Sequence, residues 1–395
     1  MRPELFEGSP AGQLIPISGH DAQQRPWQHW AFLPSPLPST PHLSQRTYKL
    51  AGDAQMAIGR LDFAVRRLPE PALLVRPALR REAISTSALE GTYAPVEEVF
   101  EAEFVDAQQQ SAATREILNY VRAAERGLEL IEKKPICLTL IAELQAILVK
   151  GTRGDSYDAG RLRQRQVYIG EQYGGIEQAR FVPPPHGSHL ENGVSDWEKW
   201  INAEDDIPLI AKTALAHYQF ETLHPFSDGN GRLGRLIVVL MLTTAGALHY
   251  PVLNVSPWLE RHREQYKDLL LHVSQTGDFD DWTQFFCQAV IDQAADTVAR
   301  IEDLLTFRER VQSRLRTAKV KGVALSIADE LIGYPFISPT QAANRHSVTY
   351  AAANTAVSKL VEHGLLREIT GRSYGRLFAC DEVITIILAD GPAAS

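Results

Sequence analysis

Between residues 50 and 305, apolar side chains recur at three- and four-residue spacing, the period of helices that bury one face. Ile117, Val121, Ala124, Leu128 and Ile131 form one such stripe, and Leu138, Ile141, Leu144 and Ile147 another. Pro77 and Pro208 are expected in first helical turns, where the missing N–H would have no partner anyway. One segment departs from this period. Val167-Tyr168-Ile169-Gly170 and Ala179-Arg180-Phe181-Val182 flank Tyr173-Gly174-Gly175, and Pro183-Pro184-Pro185 follows. Two short runs about a glycine-bearing loop predict a β-hairpin, stopped by the prolines. A lone hairpin is marginal in water, so this one is expected to lie against the helices and to accept an added strand.

The two ends read differently. Up to about residue 50 the chain carries Pro3, Pro10, Pro16, Pro26, Pro34, Pro36, Pro38 and Pro41, which predicts an extended arm without helix or sheet. Its Trp27, Trp30, Phe32 and Leu33 suit either a partner or the arm's own domain, and a disordered tail would carry fewer aromatics. Residues 292–316 predict a long amphipathic helix with Val298, Ile301, Leu304 and Leu305 inward. Its end is basic (Arg308, Arg310, Arg314, Arg316, Lys319, Lys321), as in a nucleic-acid or partner face or a solvated connector. Beyond residue 323 the pattern is a helix at 326–331, a capped short helix from Ser338, and a helix from Tyr350 to His363 stopped by Gly364. Two strand-like runs, 365–369 and 376–379, then flank Gly371-Arg372-Ser373-Tyr374-Gly375, which completes a winged helix-turn-helix pattern.

Composition narrows the function. The 395 residues carry 40 Lys and Arg against 48 Asp and Glu, a net charge of −8, which argues against coating nucleic acid by bulk charge. Cys137, Cys287 and Cys380 are far apart, without the spacing of a disulfide framework or zinc ribbon, so a reducing cytoplasm is expected. No apolar run follows Met1-Arg2-Pro3-Glu4, so no signal peptide is expected. The most apolar stretch, residues 236–248, is shorter than the ~20 residues a membrane span needs, and no membrane partner is expected.

The chemistry concentrates in His224-Pro225-Phe226-Ser227-Asp228-Gly229-Asn230-Gly231-Arg232-Leu233-Gly234-Arg235, a loop between two predicted helices. Gly229 and Gly231 let the backbone come close to a ligand, and a helix N-terminus favours an anion. Arg232 and Arg235, three apart, lie on one side of the first turns and suit a polyphosphate. Asp228 is the acid beside this cradle, suited to Mg²⁺, and His224 is the base that titrates near neutrality. No GxxxxGK[ST] segment offers another phosphate site.

This run resembles the Fic signature HxFx(D/E)GNGRxxR at every specified position. The resemblance extends to residues 216–223 before it, to the hairpin as a Fic flap, and to Gly277-Asp278-Phe279-Asp280-Asp281-Trp282. It implies transfer of AMP from ATP, with Mg²⁺, to a Ser, Thr or Tyr hydroxyl of a target protein or of the chain itself, with release of pyrophosphate. In that scheme His224 takes the hydroxyl proton, Asp228 holds Mg²⁺, and Gly229, Asn230 and Gly231 form the anion hole. Arg232 and Arg235 take the β- and γ-phosphates, and Phe226 anchors the loop. Val167, Tyr168, Ile169 and Gly170 align the target, and Tyr266 lies in a segment suited to the adenine. Doc-type relatives, which phosphorylate, have Lys where this chain has Gly231, so AMP transfer stays open.

Thr86-Ser87-Ala88-Leu89-Glu90-Gly91 is similar to the Fic inhibitory motif (S/T)xxxE(G/N), with Thr86, Glu90 and Gly91 in its fixed places. Residues 80–89 read as helical and Gly91 as the stop, so Glu90 faces the negative end of a helix dipole and gains from a cation elsewhere. The resemblance supplies that cation as Arg235. Some relatives with such a Glu also remove AMP.

The expected fold is mainly α: a Fic helical bundle with a β-hairpin flap, then the winged helix. The expected division is an arm (1–50), a helical region with the inhibitory motif (51–115), a catalytic core (116–291), a linker helix (292–322) and the winged helix-turn-helix (323–395). A competing reading makes the last segment a DNA-binding regulator with the Fic domain as nucleotide sensor. Arg345, Lys359, Arg367, Arg372 and Arg376 against Glu362 and Glu368 make residues 340–380 locally basic, but the helix 350–363 is mostly Ala, Asn, Thr and Ser. DNA binding and protein packing, including a homo-oligomer, both remain open for it.

Overall fold

The computed structural model describes residues 1–20, 25–68, 70–102, 107–170, 175–371 and 375–389. Helices dominate them, as the periodicity predicts. In chain order these are α1 (Gln45–Arg66), α2 (Ala72–Leu89), α3 (Val96–Glu101), α4 (Ala112–Ile131), α5 (Leu138–Val149), α6 (Ser188–Ile201), α7 (Leu209–Leu223) and α8 (Asn230–Thr244). They continue as α9 (Ser256–Arg261), α10 (Arg263–Thr276), α11 (Asp280–Thr317), α12 (Val323–Glu330), α13 (Pro339–Arg345), α14 (Tyr350–Glu362) and α15 (Asp381–Leu388). Hydroxyl caps start several of them: Ser44, Ser111, Ser338 and Thr349 each accept the N–H three residues on. No helix among the described residues is long and apolar enough to cross a membrane.

Two packed clusters carry the molecule. One joins α4, α5, α6 and α8 around Ile117, Leu144, Trp197 and Phe226. The other runs from α1 through α7 and α11 to Ile387 in α15. Helix α7 is buried on nearly every face because both clusters use it. Helix α11 spans 38 residues without a break, so the expected boundary at 291/292 falls inside it. Its Ile301, Leu304, Phe307, Val311 and Leu315 are buried in the second cluster, which corrects the reading of a solvated connector.

The prolines behave differently from expectation. Pro208 caps α7 as predicted, but Pro77 stands inside α2. There it removes the N–H that would bond Leu73 O. Gly333 approaches that carbonyl so closely that a Cβ would lie 2.7 Å from it. The N-terminal segment is not an extended arm. Strands β1 (Gly12–His20) and β2 (Pro26–Pro34) pair antiparallel, with Gly12 opposite Pro34 and His20 opposite Pro26. Two prolines stand at the ends of β2 and Pro16 within a two-stranded ribbon, where each strand has an edge that needs no N–H. Phe6 and Phe32 pack against Phe181, with ring centres 6.2 and 5.9 Å away, so the segment covers its own domain.

Among the described residues, the predicted hairpin about residues 167–182 makes one antiparallel bridge, Ile169 with Phe181, with a short 3₁₀ turn at Ile176–Gln178 on the return side. Tyr173 and Gly174 lie outside the described residues. The bridge is supported by β2 through Phe32 N–H donating to Val182 O at 2.9 Å. In the last segment α13 and α14 stand where predicted. Strands β3 (Phe336–Ile337), β4 (Arg367–Glu368) and β5 (Phe378–Ala379) form a sheet in the order β3-β5-β4. Strand β3 and helix α15 were not foreseen, and Arg372 lies outside the described residues.

Candidate active site

The loop from His224 to Gly229 joins α7 to α8. His224 ends α7 in the left-handed conformation (φ 47°, ψ 60°), its N–H still bonded to Phe220 O at 3.0 Å. A non-glycine residue there is uncommon, and the turn aims the imidazole off the helix. Phe226, fully buried, drives the loop into the core. Asn230 locks it: Phe226 N–H donates to Asn230 Oδ1 (2.9 Å) and Asn230 Nδ2 donates back to Phe226 O (2.7 Å). Gly229 begins α8 at φ +83°, a conformation that favours glycine. Gln145 from α5 donates to Asp228 O at 3.0 Å, fixing the loop from a third helix.

Arg232 and Arg235 point from the buried start of α8, each 2 % exposed. They have different partners. Arg232 donates to Asp228 (2.8 Å) and to Glu116 of α4 (2.6 Å). Glu116 is held in turn by Thr92 Oγ1 at 3.0 Å. Arg235 reaches the end of α2: its Nε donates to Thr86 Oγ1 (2.6 Å), and its Nη2 donates to Thr86 O (3.1 Å) and to Glu90 Oε1 (2.6 Å). Gly91, at φ +83°, ends that helix, and Arg263 donates to Leu89 O at 2.7 Å. Glu90 Oε1 occupies the space where a Cβ on Gly231 would stand, so any other residue there would make the Glu90 carboxylate shift.

Glu90, Gly231, Arg235 and His224 open on one cavity of about 170 Å³, with Glu221 and Tyr266 on its polar side and Ile169, Phe181, Leu270 and Leu271 on its apolar side. Burial pushes the pKa of His224 down to about 4, with Arg163 adding to the effect, so its imidazole is neutral at pH 7. Burial works to raise Glu90, but Arg235 outweighs it and holds the carboxyl below its ordinary value. Arg235 is burdened by the same burial, yet Glu90, Tyr266 and Glu221 keep its pKa above the ordinary one. Glu221 is pushed up to about 7 by burial, and its Oε1 has no hydrogen-bond partner among the described residues.

The structure thus brings His224, Gly231, Arg235, Glu90 and Ile169 together on one cavity. Asp228 does not line that cavity and pairs with Arg232, and Asn230 spends its amide on the loop itself. Of the flap residues, Ile169 makes the bridge and Tyr168 is exposed. Gly170 comes within 3.1 Å of Ala179 Cα when given a Cβ. Sequence reasoning missed Glu116, Glu221 and Arg163. Glu116 and Arg163 lie outside any motif considered, Glu221 was quoted only as part of the helix before the motif, and a buried charge announces itself only through its neighbours. Among the described residues no group of three or more His, Cys, Asp or Glu could hold a metal.

Comparison with known proteins places the family by sequence and fold. Residues 48–129 match the model of the Fic/DOC family N-terminal region, and residues 135–242 match that of the Fic/DOC family. Over 133 residues the chain is 35 % identical to a protein adenylyltransferase Fic of Culex quinquefasciatus, covering 33 % of this chain and 23 % of that one. It is 33 % identical over 133 residues to protein adenylyltransferase fic-1 of Caenorhabditis elegans, with the same coverage. The match thus spans about a quarter of the length of these relatives. A Fic family protein from Desulfovibrio desulfuricans G20 shares the fold, with a TM-score of 0.55 at 18 % identity, over 87 % of this chain and 98 % of that one.

Proposed function

Residues 48–129 and 135–242 belong to the Fic/DOC family, and from that premise we propose that the chain transfers AMP from ATP to a protein hydroxyl. The observation that carries this reading is a neutral His224 on the same cavity as Gly231 and the guanidinium of Arg235. The target hydroxyl gives its proton to His224 while its oxygen bonds the α-phosphorus. The α–β bridging bond breaks and pyrophosphate leaves. Gly229 and Gly231 let the phosphates approach the N-terminus of α8, and Arg232 and Arg235 supply the cations. Ile169 and its neighbours Val167, Tyr168 and Gly170 would align the target backbone as an added strand.

Asp228 fits Mg²⁺, because that ion keeps several waters and asks one or two carboxylates, with phosphates, to hold it. One oxygen of Asp228 bonds Arg232, and the side chain is 27 % exposed. Bound there, the ion would neutralise charge on the phosphates. Asp228 would hold it, and Arg232 would orient Asp228.

Glu90 is the brake in this reading. Its bond to Arg235 places a carboxylate where a phosphate would seat, and repulsion keeps the triphosphate from its productive position. Glu90→Gly is expected to raise labelling from α-phosphate-labelled ATP by about tenfold or more, equivalent to ~1.4 kcal/mol or more of barrier. His224→Ala should return it to background, and mass spectrometry should find an AMP adduct on Ser, Thr or Tyr. Equal labelling by Glu90→Gly and the parent would sink the brake. Label from the γ-phosphate would replace AMP transfer by phosphoryl transfer.

The order of elements favours a second role for residues 323–389, as a winged helix that reads DNA. Helices α13 and α14 precede β4 and β5, and Tyr350 at the start of α14 is 53 % exposed. A salt-dependent shift of the full chain with duplex DNA supports it, and no shift at low salt counts against it.

A further inference from the structure

Arg163 is 1 % exposed, one of the most buried cations of the molecule, and it belongs to none of the motifs above. Its hydrogen bonds go to main-chain carbonyls. Its Nε donates to His224 O (2.9 Å), Nη1 to Arg165 O (3.2 Å), and Nη2 to Pro184 O (2.6 Å) and, at 3.5 Å, to Leu223 O. Its own N–H donates to Pro225 O at 3.0 Å. No carboxylate is among its partners in the described residues. Burial lowers its pKa to about 10, which leaves it charged at neutrality.

A buried charge without a counter-ion is costly unless the surrounding dipoles are arranged for it. Here two of those dipoles belong to Leu223 and His224, in the turn that aims the imidazole, and the main-chain N–H of Arg163 holds the next carbonyl, Pro225 O. Another belongs to Pro184, directly after the residues that return from the flap. The planar fork joins two segments that come from different parts of the chain. Lysine has no such fork.

We propose that Arg163 is a positioning residue, which fixes the imidazole of His224 relative to the target-aligning flap by clamping both backbones. It touches neither nucleotide nor target. The proposal rests on His224 as the base, and it has a readout that does not. The Arg163 charge also acts on the imidazole, together with Glu90, whose charge opposes it.

The test uses the full chain in the Glu90→Gly background. Arg163→Lys keeps the charge and loses the fork, while Arg163→Met loses both. With Arg163→Lys, kcat is expected to fall on the order of 100-fold with the KM for ATP unchanged, the cost of a displaced base. NMR titration of His224 in the nucleotide-free protein should remain low for Arg163→Lys and move up for Arg163→Met. A full kcat for Arg163→Lys would overturn the positioning role. So would a kcat loss in Arg163→Lys matched by a rise in the KM for ATP, which indicates general loosening. If Arg163→Met does not fold, the lysine variant decides alone. Loss of AMP transfer as the activity would leave the titration result standing, so the two failures are separable.

Discussion

The start of α8 and the C-terminal module both hold arginines in ion pairs, and the pairs differ in kind. Arg232 meets Glu116 at 2.6 Å with both side chains under a tenth exposed. Arg367 meets Asp381 at 2.7 Å with both more than half exposed. In the first place water cannot take over a lost partner, so a charge leaves only when another charge arrives. In the second, water and salt compete freely. The same residue types therefore make buried, mutually dependent pairs in one region and a solvated surface in the other. Arg235 carries a more uneven pair: its Glu90 partner is 36 % exposed, while the arginine is buried at 2 %, which is the arrangement the proposed brake needs.

The comparison breaks most severely at Arg232. Arg232→Met leaves Glu116 buried without its cation, and chemical denaturation is expected to read a loss of about 3–5 kcal/mol. A loss no larger than a surface pair would end the distinction between the two regions. A smaller effect is expected at Glu221, whose folded pKa of about 7 stands above its ordinary 4.5. The folded state then holds the proton more tightly than the unfolded one between those values, so this group's contribution is full below the lower value and is lost as pH rises through the upper. Glu221→Gln removes that loss. Its melting temperature should gain on the parent as pH rises from about 5 to about 8, and a constant difference would contradict the assignment. The smallest effect belongs to Arg367→Met, whose melting curve should overlay the parent's at physiological salt.

The motif loop, the end of α2 with Gly91, and helices α7, α8, α13 and α14 were legible because their signals are local: caps, stops and a period of 3.6. The β1–β2 ribbon was hidden by its prolines, which argue against a strand until the edges of a two-stranded sheet make them harmless. Strand β3 is two residues long, too short to show alternation. The flap reads as a full hairpin because its composition is β-like; among its described residues it makes one bridge, supported by the Phe32 bond to Val182.

The candidate site divides the same way. The twelve residues from His224 to Arg235 hold a base, an acid, three glycines and two arginines across one loop and the first turns of α8, so the chemistry proposed for them was legible from identity and spacing. Which arginine meets which carboxylate was not, and the Glu90–Arg235 pair was available only through the family resemblance. Glu116 lies 116 residues from Arg232 and Glu90 lies 145 from Arg235, while Arg163 reaches His224 across 61. Those meetings depend on how α2, α4 and α7 pack around α8. A buried charge is stable only where the packing delivers a partner, so tertiary structure decided that Glu116 holds Arg232 and that Arg163, bonded to main-chain carbonyls, holds the loop.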